Sequence, residues 1–121
     1  LILVAPASAE TNHAVNKDVL EALGKNGVLI NVGRGSLVDE KALIKALQDG
    51  LIAAAGLDVF EKEPLPDDSP LWQMDNVIVS PHVSASSDRA TDRLAKLAID
   101  NLRNWKEQKP VINEIDLDRG Y

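Results

Sequence analysis

The chain has 121 residues, of which 45% are apolar and 26% charged, a composition typical of one folded domain rather than a disordered segment. Its formal charge of −6 disfavours nucleic acid and anionic membranes as partners, because both repel an acidic surface. The sequence contains no cysteine, which excludes disulfides and thiolate metal sites, and we expect a cytoplasmic protein.

Four short apolar runs predict β-strands that are buried on both faces, because they do not alternate with polar residues. They cover residues 1–5, 28–32, 54–59 and 77–80. The first run begins at Leu1 without an initiator Met, so we expect a strand already in progress and further chain upstream.

Helical patterns separate the first three runs. Residues 16–23 predict a helix that ends at Gly24, and residues 39–48 predict a second helix. In the second helix, Asp39 is the expected N-cap and Gly50 the expected left-handed residue after the C-terminus. This spacing of strand, helix and strand predicts βαβ units and therefore a parallel sheet.

The third connection, residues 60–75, predicts a long loop instead of a helix. It contains Pro64, Pro66 and Pro70, which stiffen the backbone and interrupt helical hydrogen bonding. One short turn is expected near Leu71. Long loops of this kind are frequently functional.

Residues 86–106 predict a long helix capped by Ser87. The fold class is therefore α/β: the C-terminal half of a Rossmann-type, doubly wound parallel sheet, followed by this helix. Apolar positions at helical spacing predict the buried face of the helix: Ala90, Leu94, Leu97, Ala98, Leu102 and Trp105.

Ligands of such sheets bind beyond the carboxyl ends of the strands, and Arg34, Glu63 and His82 each follow a predicted strand there. Taken singly, each has a structural explanation: Arg34 as a surface residue of a turn, Glu63 as part of a solvated acidic loop, and His82 as a structural residue with its hydrogen bonds satisfied. Together they predict convergence on one edge of the sheet. One His and one Glu are too few ligands for a metal. Ser84 lies near His82, but the Gly-x-Ser-x-Gly turn of a serine hydrolase is absent from the sequence.

Several motifs stand in a fixed order along the chain. They are Pro-x-Ser-x-x-Thr at 6–11, Asn-Val-Gly-Arg-Gly at 31–35, Leu-Val-Asp-Glu at 37–40, Gly-Leu-Asp-Val-Phe-Glu-Lys-Glu-Pro-Leu-Pro at 56–66, Ser-Pro-Leu-Trp at 69–72, Asn-Val-Ile at 76–78 and Ser-Pro-His at 80–82. Together they resemble the D-isomer-specific 2-hydroxyacid dehydrogenase family, and most closely its glyoxylate and hydroxypyruvate reductase branch. The resemblance extends to about residue 109.

The resemblance implies three catalytic residues. Arg34 matches the arginine that holds the substrate carboxylate and polarises its keto oxygen, and His82 matches the acid/base that protonates that oxygen. Glu63, rather than Glu61, matches the carboxylate paired with the histidine, because it directly precedes the proline. His13 is interpreted as structural.

The family resemblance also implies NAD or NADP as cofactor and a small 2-keto acid such as glyoxylate or hydroxypyruvate as substrate. The determinant between NAD and NADP lies outside this chain, which has no Gly-x-Gly-x-x-Gly after a strand. Ser84 and Ala85 stand where many members have glycine. The residues implied to contact the cofactor are Pro6, Thr11, Val32, Gly33, Arg34, Asp58, His82, Ser84 and Ala85.

We therefore expect residues 1–108 to be the C-terminal part of an NAD(P)-binding domain, and residues 109–121 to return toward a substrate domain. The expected partners are the keto acid, the upstream half of the enzyme and a second copy in a homodimer. A formate-type dehydrogenase is disfavoured, because such enzymes carry Gln where Glu63 stands. A family-related nucleotide-binding corepressor and an inactive fragment stay open as alternatives.

Overall fold

The computed structural model describes residues 1–117 and contains a four-stranded parallel sheet. The strands follow chain order: β1 is Ile2–Leu3, β2 Val28–Asn31, β3 Ala54–Leu57 and β4 Val77–Val79. Every neighbouring pair is parallel, which confirms the predicted topology. All four strands are shorter than predicted, because the chain turns out of the regular ladder at the carboxyl edge.

Helices α1 (Lys17–Leu23) and α2 (Glu40–Gln48) connect the first three strands and contact each other. The Asn16 side chain accepts hydrogen bonds from the first turn of α1, and Asp39 accepts one from the amide of Ala42 in α2. Gly50 has a φ of 65°, as the sequence predicts for a left-handed residue after α2. These local signals therefore begin and end both helices where they were predicted.

The long third connection is anchored in the core. A short 3₁₀ helix, Pro70–Gln73, stands at the predicted turn and buries Leu71. Phe60 and Leu65, from the same connection, are buried as well. Burial of side chains of this size stabilises the fold by roughly 1.5–3 kcal/mol each. The loop that carries Glu63 is therefore held at several points.

Residues 85–117 belong to a second compact unit, which contains α3 (Ala90–Lys106). The predicted start at residue 86 and the Ser87 side-chain cap are wrong: the helix follows Arg89, which makes no side-chain capping bond. The predicted buried face is also wrong, because Leu94, Leu102 and Trp105 are 66%, 67% and 75% exposed. An apolar stripe becomes buried only where another element covers it.

The segment after α3 turns back along that helix. Asn101 exchanges side-chain hydrogen bonds with the backbone of Ile112, and Asn104 donates to the carbonyl of Pro110. Residues 118–121 of the predicted tail lie outside the described residues. Across residues 1–117, no helix is long and apolar enough to cross a bilayer.

Candidate active site

Arg34 lies in a turn that Asn31 organises at the end of β2. The Asn31 side chain is 1% exposed; its Oδ1 accepts from the amide of Gly33 (3.1 Å) and its Nδ2 donates to the carbonyl of Arg34 (2.9 Å). An asparagine that bonds its own backbone in this way stabilises a tight turn. The Arg34 side chain is exposed at the carboxyl edge, and its Nη1 donates to the carbonyl of Gly33 (2.7 Å).

Two glycines allow the Arg34 turn to touch its neighbouring loops through backbone atoms. A Cβ added to Gly33 would lie 2.9 Å from the carbonyl oxygen of Ala5. One added to Gly35 would lie 1.9 Å from the carbonyl group of Phe60 and 2.5 Å from the amide of Glu61. Such distances are shorter than any side chain tolerates, so glycine is required for this approach. The turn is therefore held directly against the loop that follows β3.

His82 and Glu63 form a pair at the same edge of the sheet. Nδ1 of His82 lies 2.8 Å from Oε2 of Glu63, whose Oε1 accepts from the amide of Phe60 (3.0 Å). The hydrogen bond with His82 lowers the pKa of Glu63, and the charges of His82 and Arg34 act in the same direction. Arg34 and His82 are therefore both within electrostatic reach of Glu63.

Asp58, the residue after β3, is 3% exposed and bonds to the loop that carries His82. Its carboxylate accepts from the Ser80 hydroxyl (2.6 Å) and from the amides of Val83 and Ser84 (each 2.9 Å). Burial alone would raise the pKa of Asp58, but these hydrogen bonds hold it well below its usual range. The backbone amide of His82 donates to the Asp58 carbonyl (2.9 Å).

Glu61 occupies a different network from Glu63. Its Oε1 lies 2.7 Å from Nε2 of His13, and its backbone amide donates to Oε2 of Glu40, at the start of α2. The Glu40 amide in turn donates to Oε1 of Glu61 (3.3 Å). Burial raises the pKa of Glu40, and the nearby charge of Glu61 adds to that effect. Glu61 therefore pairs with His13, whereas Glu63 pairs with His82.

The loop after β1 closes on itself through hydroxyl groups. Oγ1 of Thr11 donates to the carbonyl of Pro6 (2.9 Å) and accepts from the amide of Ser8 (2.8 Å). Val32 continues the contact between β1 and β2 through a bond to the carbonyl of Leu3 (3.1 Å). Of the other positions implied to contact a cofactor, Ala85 belongs to the second compact unit.

A cavity of about 550 Å³ opens beside the His82–Glu63 pair. Its walls are mostly apolar and include Phe60, Leu65 and Trp72. Trp72 is held by a hydrogen bond from its ring nitrogen to the carbonyl of Pro66 (2.9 Å). The volume is in the range of small-molecule sites.

Sequence reasoning missed the roles of Asn31, Ser80 and Trp72 in this region. Asn31 had a readable signal, since an asparagine that ends an apolar run just before a glycine indicates a turn. Ser80 and Trp72 had none, because their partners come from other loops.

Among residues 1–117, no group of three His, Asp or Glu side chains could hold a metal ion. The arrangement offers a guanidinium for an anion and an imidazole–carboxylate pair for proton transfer.

The chain is similar to known proteins of one dehydrogenase family. The model of the family "D-isomer specific 2-hydroxyacid dehydrogenase, NAD binding domain" matches residues 1–84. The chain is 45% identical over 119 residues to a glyoxylate/hydroxypyruvate reductase of Arabidopsis thaliana, covering 98% of this chain and 36% of the relative. It is 51% identical over 102 residues to glyoxylate/hydroxypyruvate reductase B of Enterobacter sp. (strain 638), covering 84% of this chain and 32% of that protein.

Solved structures match over nearly the whole chain. A D-isomer specific 2-hydroxyacid dehydrogenase from Xanthobacter autotrophicus Py2, in complex with NADPH and MES, aligns with a TM-score of 0.91 and 45% identity, covering 99% of this chain and 49% of that one. An NADPH-dependent glyoxylate/hydroxypyruvate reductase from Sinorhizobium meliloti, with NADP and sulfate, aligns with a TM-score of 0.92 and 32% identity, covering 100% and 39%. The chain spans about a third of the length of the two curated relatives.

Proposed function

The chain belongs to the D-isomer-specific 2-hydroxyacid dehydrogenase family, and we propose that it supplies the acid/base and substrate-binding groups of a 2-keto acid reductase. The observation that carries the proposal is the His82–Glu63 pair, 2.8 Å apart, at the same strand edge as Arg34. The products would be D-2-hydroxy acids. Glyoxylate and hydroxypyruvate are the proposed substrates, since relatives at 45% and 51% identity are named for them.

NAD or NADP is the proposed cofactor, and it would supply the hydride when bound. The residues present fit the nicotinamide end, because the carboxyl edge of the parallel sheet offers backbone groups and the Thr11 hydroxyl. The chain has no Gly-x-Gly-x-x-Gly, so residues outside this sequence would hold the pyrophosphate. The proposed contacts are Pro6, Thr11, Val32, Gly33, Arg34, Asp58, His82 and Ser84.

Each member of the trio has a distinct proposed role. The planar fork of Arg34 binds the substrate carboxylate through two hydrogen bonds and places its keto group beside His82. Protonated His82 donates a proton from Nε2 to the keto oxygen as negative charge develops there. Glu63 holds Nδ1, which turns Nε2 away from the carboxylate, and its charge stabilises the imidazolium.

The organisation around this site is part of the same proposal. Residues 1–108 would form the C-terminal part of an NAD(P)-binding domain, with residues 109–121 leading toward a substrate domain. A cytoplasmic homodimer is the proposed assembly. The matches to much longer relatives support a larger protein around this chain.

The test is a turnover assay on the protein that carries this chain. Nucleotide oxidation is followed by absorbance with glyoxylate or hydroxypyruvate, using NADH and NADPH in parallel. Saturable turnover that disappears in His82→Ala and requires a free substrate carboxylate is the expected result. A folded protein that binds nucleotide but reduces neither acid would overturn the proposal.

A further inference from the structure

Two polar residues of the described chain are buried, and they lie side by side at the ends of adjacent strands. Asn31 is 1% exposed and Asp58 is 3% exposed. The backbone amide of Asp58 donates to the carbonyl of Asn31 (3.0 Å), which links the two positions directly. Burying a polar side chain is costly unless it is fully hydrogen-bonded, so the hydrogen-bond partners of these two side chains indicate what each of them holds in place.

The partners of the Asn31 side chain belong to the Arg34 turn. Its side chain accepts from the Gly33 amide and donates to the Arg34 carbonyl. It therefore closes the turn from both sides. The direction in which the Arg34 side chain leaves the sheet depends on this closed turn.

The partners of the Asp58 carboxylate belong to the His82 loop. Both carboxylate oxygens are engaged there, by the Ser80 hydroxyl and by the amides of Val83 and Ser84, and the Asp58 carbonyl accepts from the His82 amide. His82 has a φ of 54°, in the left-handed region that residues with a side chain seldom adopt. A conformation of this kind persists only when surrounding contacts impose it.

We infer that Asn31 and Asp58 are positioning residues, one for Arg34 and one for His82, and that their backbone link sets the separation between these two groups. The inference rests on the proposed function for the roles of Arg34 and His82. In this role the Asp58 carboxylate holds the His82 loop of the protein itself, whereas in the proposed function Asp58 contacts bound nicotinamide. The first role predicts changes in the loop without any ligand, and the second predicts changes in nucleotide binding, so experiment separates them.

The first test needs no activity. In Asp58→Asn, an NH2 group replaces one of the two carboxylate oxygens. The backbone amide that donated to that oxygen, of Val83 or of Ser84, therefore loses its hydrogen bond. Amide hydrogen exchange at these two residues should rise ~10- to 100-fold, as expected for a lost bond to a charged group. Exchange of the Leu47 amide, in α2, reports whether the fold is intact. Unchanged exchange at Val83 and Ser84 in a folded variant overturns the inference.

Two further variants keep that test decisive. Glu61→Gln makes the same chemical change in the neighbouring loop, where the carboxylate contacts His13 and Glu40, and should leave Val83 and Ser84 exchange unchanged. Ser80→Ala removes one partner of Asp58 without removing the carboxylate. If Asp58→Asn does not fold, faster Val83 exchange in Ser80→Ala supports the inference, and unchanged exchange contradicts it.

Steady-state kinetics of the protein that carries this chain provide the second test. Asp58→Asn should lower kcat ~10-fold or more through misplaced His82. Asn31→Asp keeps the acceptor for Gly33 but loses the donor to Arg34, so it should raise the keto-acid KM ~10-fold with kcat nearly retained. A raised nucleotide KM with normal Val83 and Ser84 exchange would instead assign Asp58 to the cofactor. Absence of keto-acid turnover in the unsubstituted protein would defeat the proposed function alone, because the exchange result stands without it.

Discussion

Glu63→Gln is the most informative single substitution in this chain. Glutamine has nearly the same shape and keeps an oxygen that can accept from the Phe60 amide, but it removes the negative charge beside His82. The proposed reduction needs protonated His82. Because neutral glutamine no longer stabilises the imidazolium that donates the proton, kcat/KM for the keto acid should fall.

The size of this loss follows from the geometry of the pair. Nδ1 and Oε2 are 2.8 Å apart, and the side chains of His82 and Glu63 are 48% and 36% exposed. An ion pair exposed to this extent contributes on the order of 1 kcal/mol, well below the value for a buried pair. Since about 1.4 kcal/mol corresponds to a tenfold change in rate, we expect kcat/KM to fall roughly 5-fold.

The assay is kcat/KM for hydroxypyruvate at neutral pH, with Glu61→Gln as the matched control. Glu61 is two residues away, carries the same charge and pairs with His13 instead, so its removal should leave kcat/KM unchanged. The reasoning is refuted if Glu61→Gln lowers kcat/KM and Glu63→Gln does not. A higher kcat/KM in Glu63→Gln would contradict the proposed electrostatics.

Four further outcomes are expected. His82→Ala should lower turnover by roughly 10²–10⁴-fold in the same assay, as for other lost acid/base groups, and near-full turnover would eliminate its role. Arg34→Lys keeps the charge but loses the fork, so the keto-acid KM should rise more than kcat falls. Gly35→Ala should destabilise the fold by ~3 kcal/mol in urea denaturation, because its Cβ would meet backbone, whereas Gly56→Ala, whose Cβ would meet only a side-chain atom at 3.8 Å, should stay within about 1 kcal/mol. Because the folded-state pKa of Asp58 is lowered, its ionised carboxylate stabilises the fold fully above about pH 5, and this contribution is lost on further acidification. Below about pH 5, the free energy of unfolding of Asp58→Asn should therefore fall less with acidification than that of the unsubstituted protein.

Local sequence signals determined the skeleton of this protein. Uninterrupted apolar runs predicted four strands in a parallel sheet, and Asp39 and Gly50 marked the two ends of α2 correctly. These signals act over a few residues, through side-chain periodicity, capping bonds and backbone conformational preference, so they can be read from the chain directly. The strand-end rule also predicted that Arg34 and His82 lie at the same edge of the sheet.

Tertiary structure alone decided which side chains meet and which faces are covered. Glu61 and Glu63 stand two residues apart, yet one meets His13 and the other His82, from loops 48 and 19 residues away. The Gly35 contact with the loop after β3 and the anchoring of residues 80–84 by Asp58 likewise join segments distant in sequence. The apolar stripe of α3 shows the converse, since helical periodicity predicts a stripe but only a packed neighbour buries it. Such contacts depend on which strands become adjacent, and adjacency is a property of the whole fold.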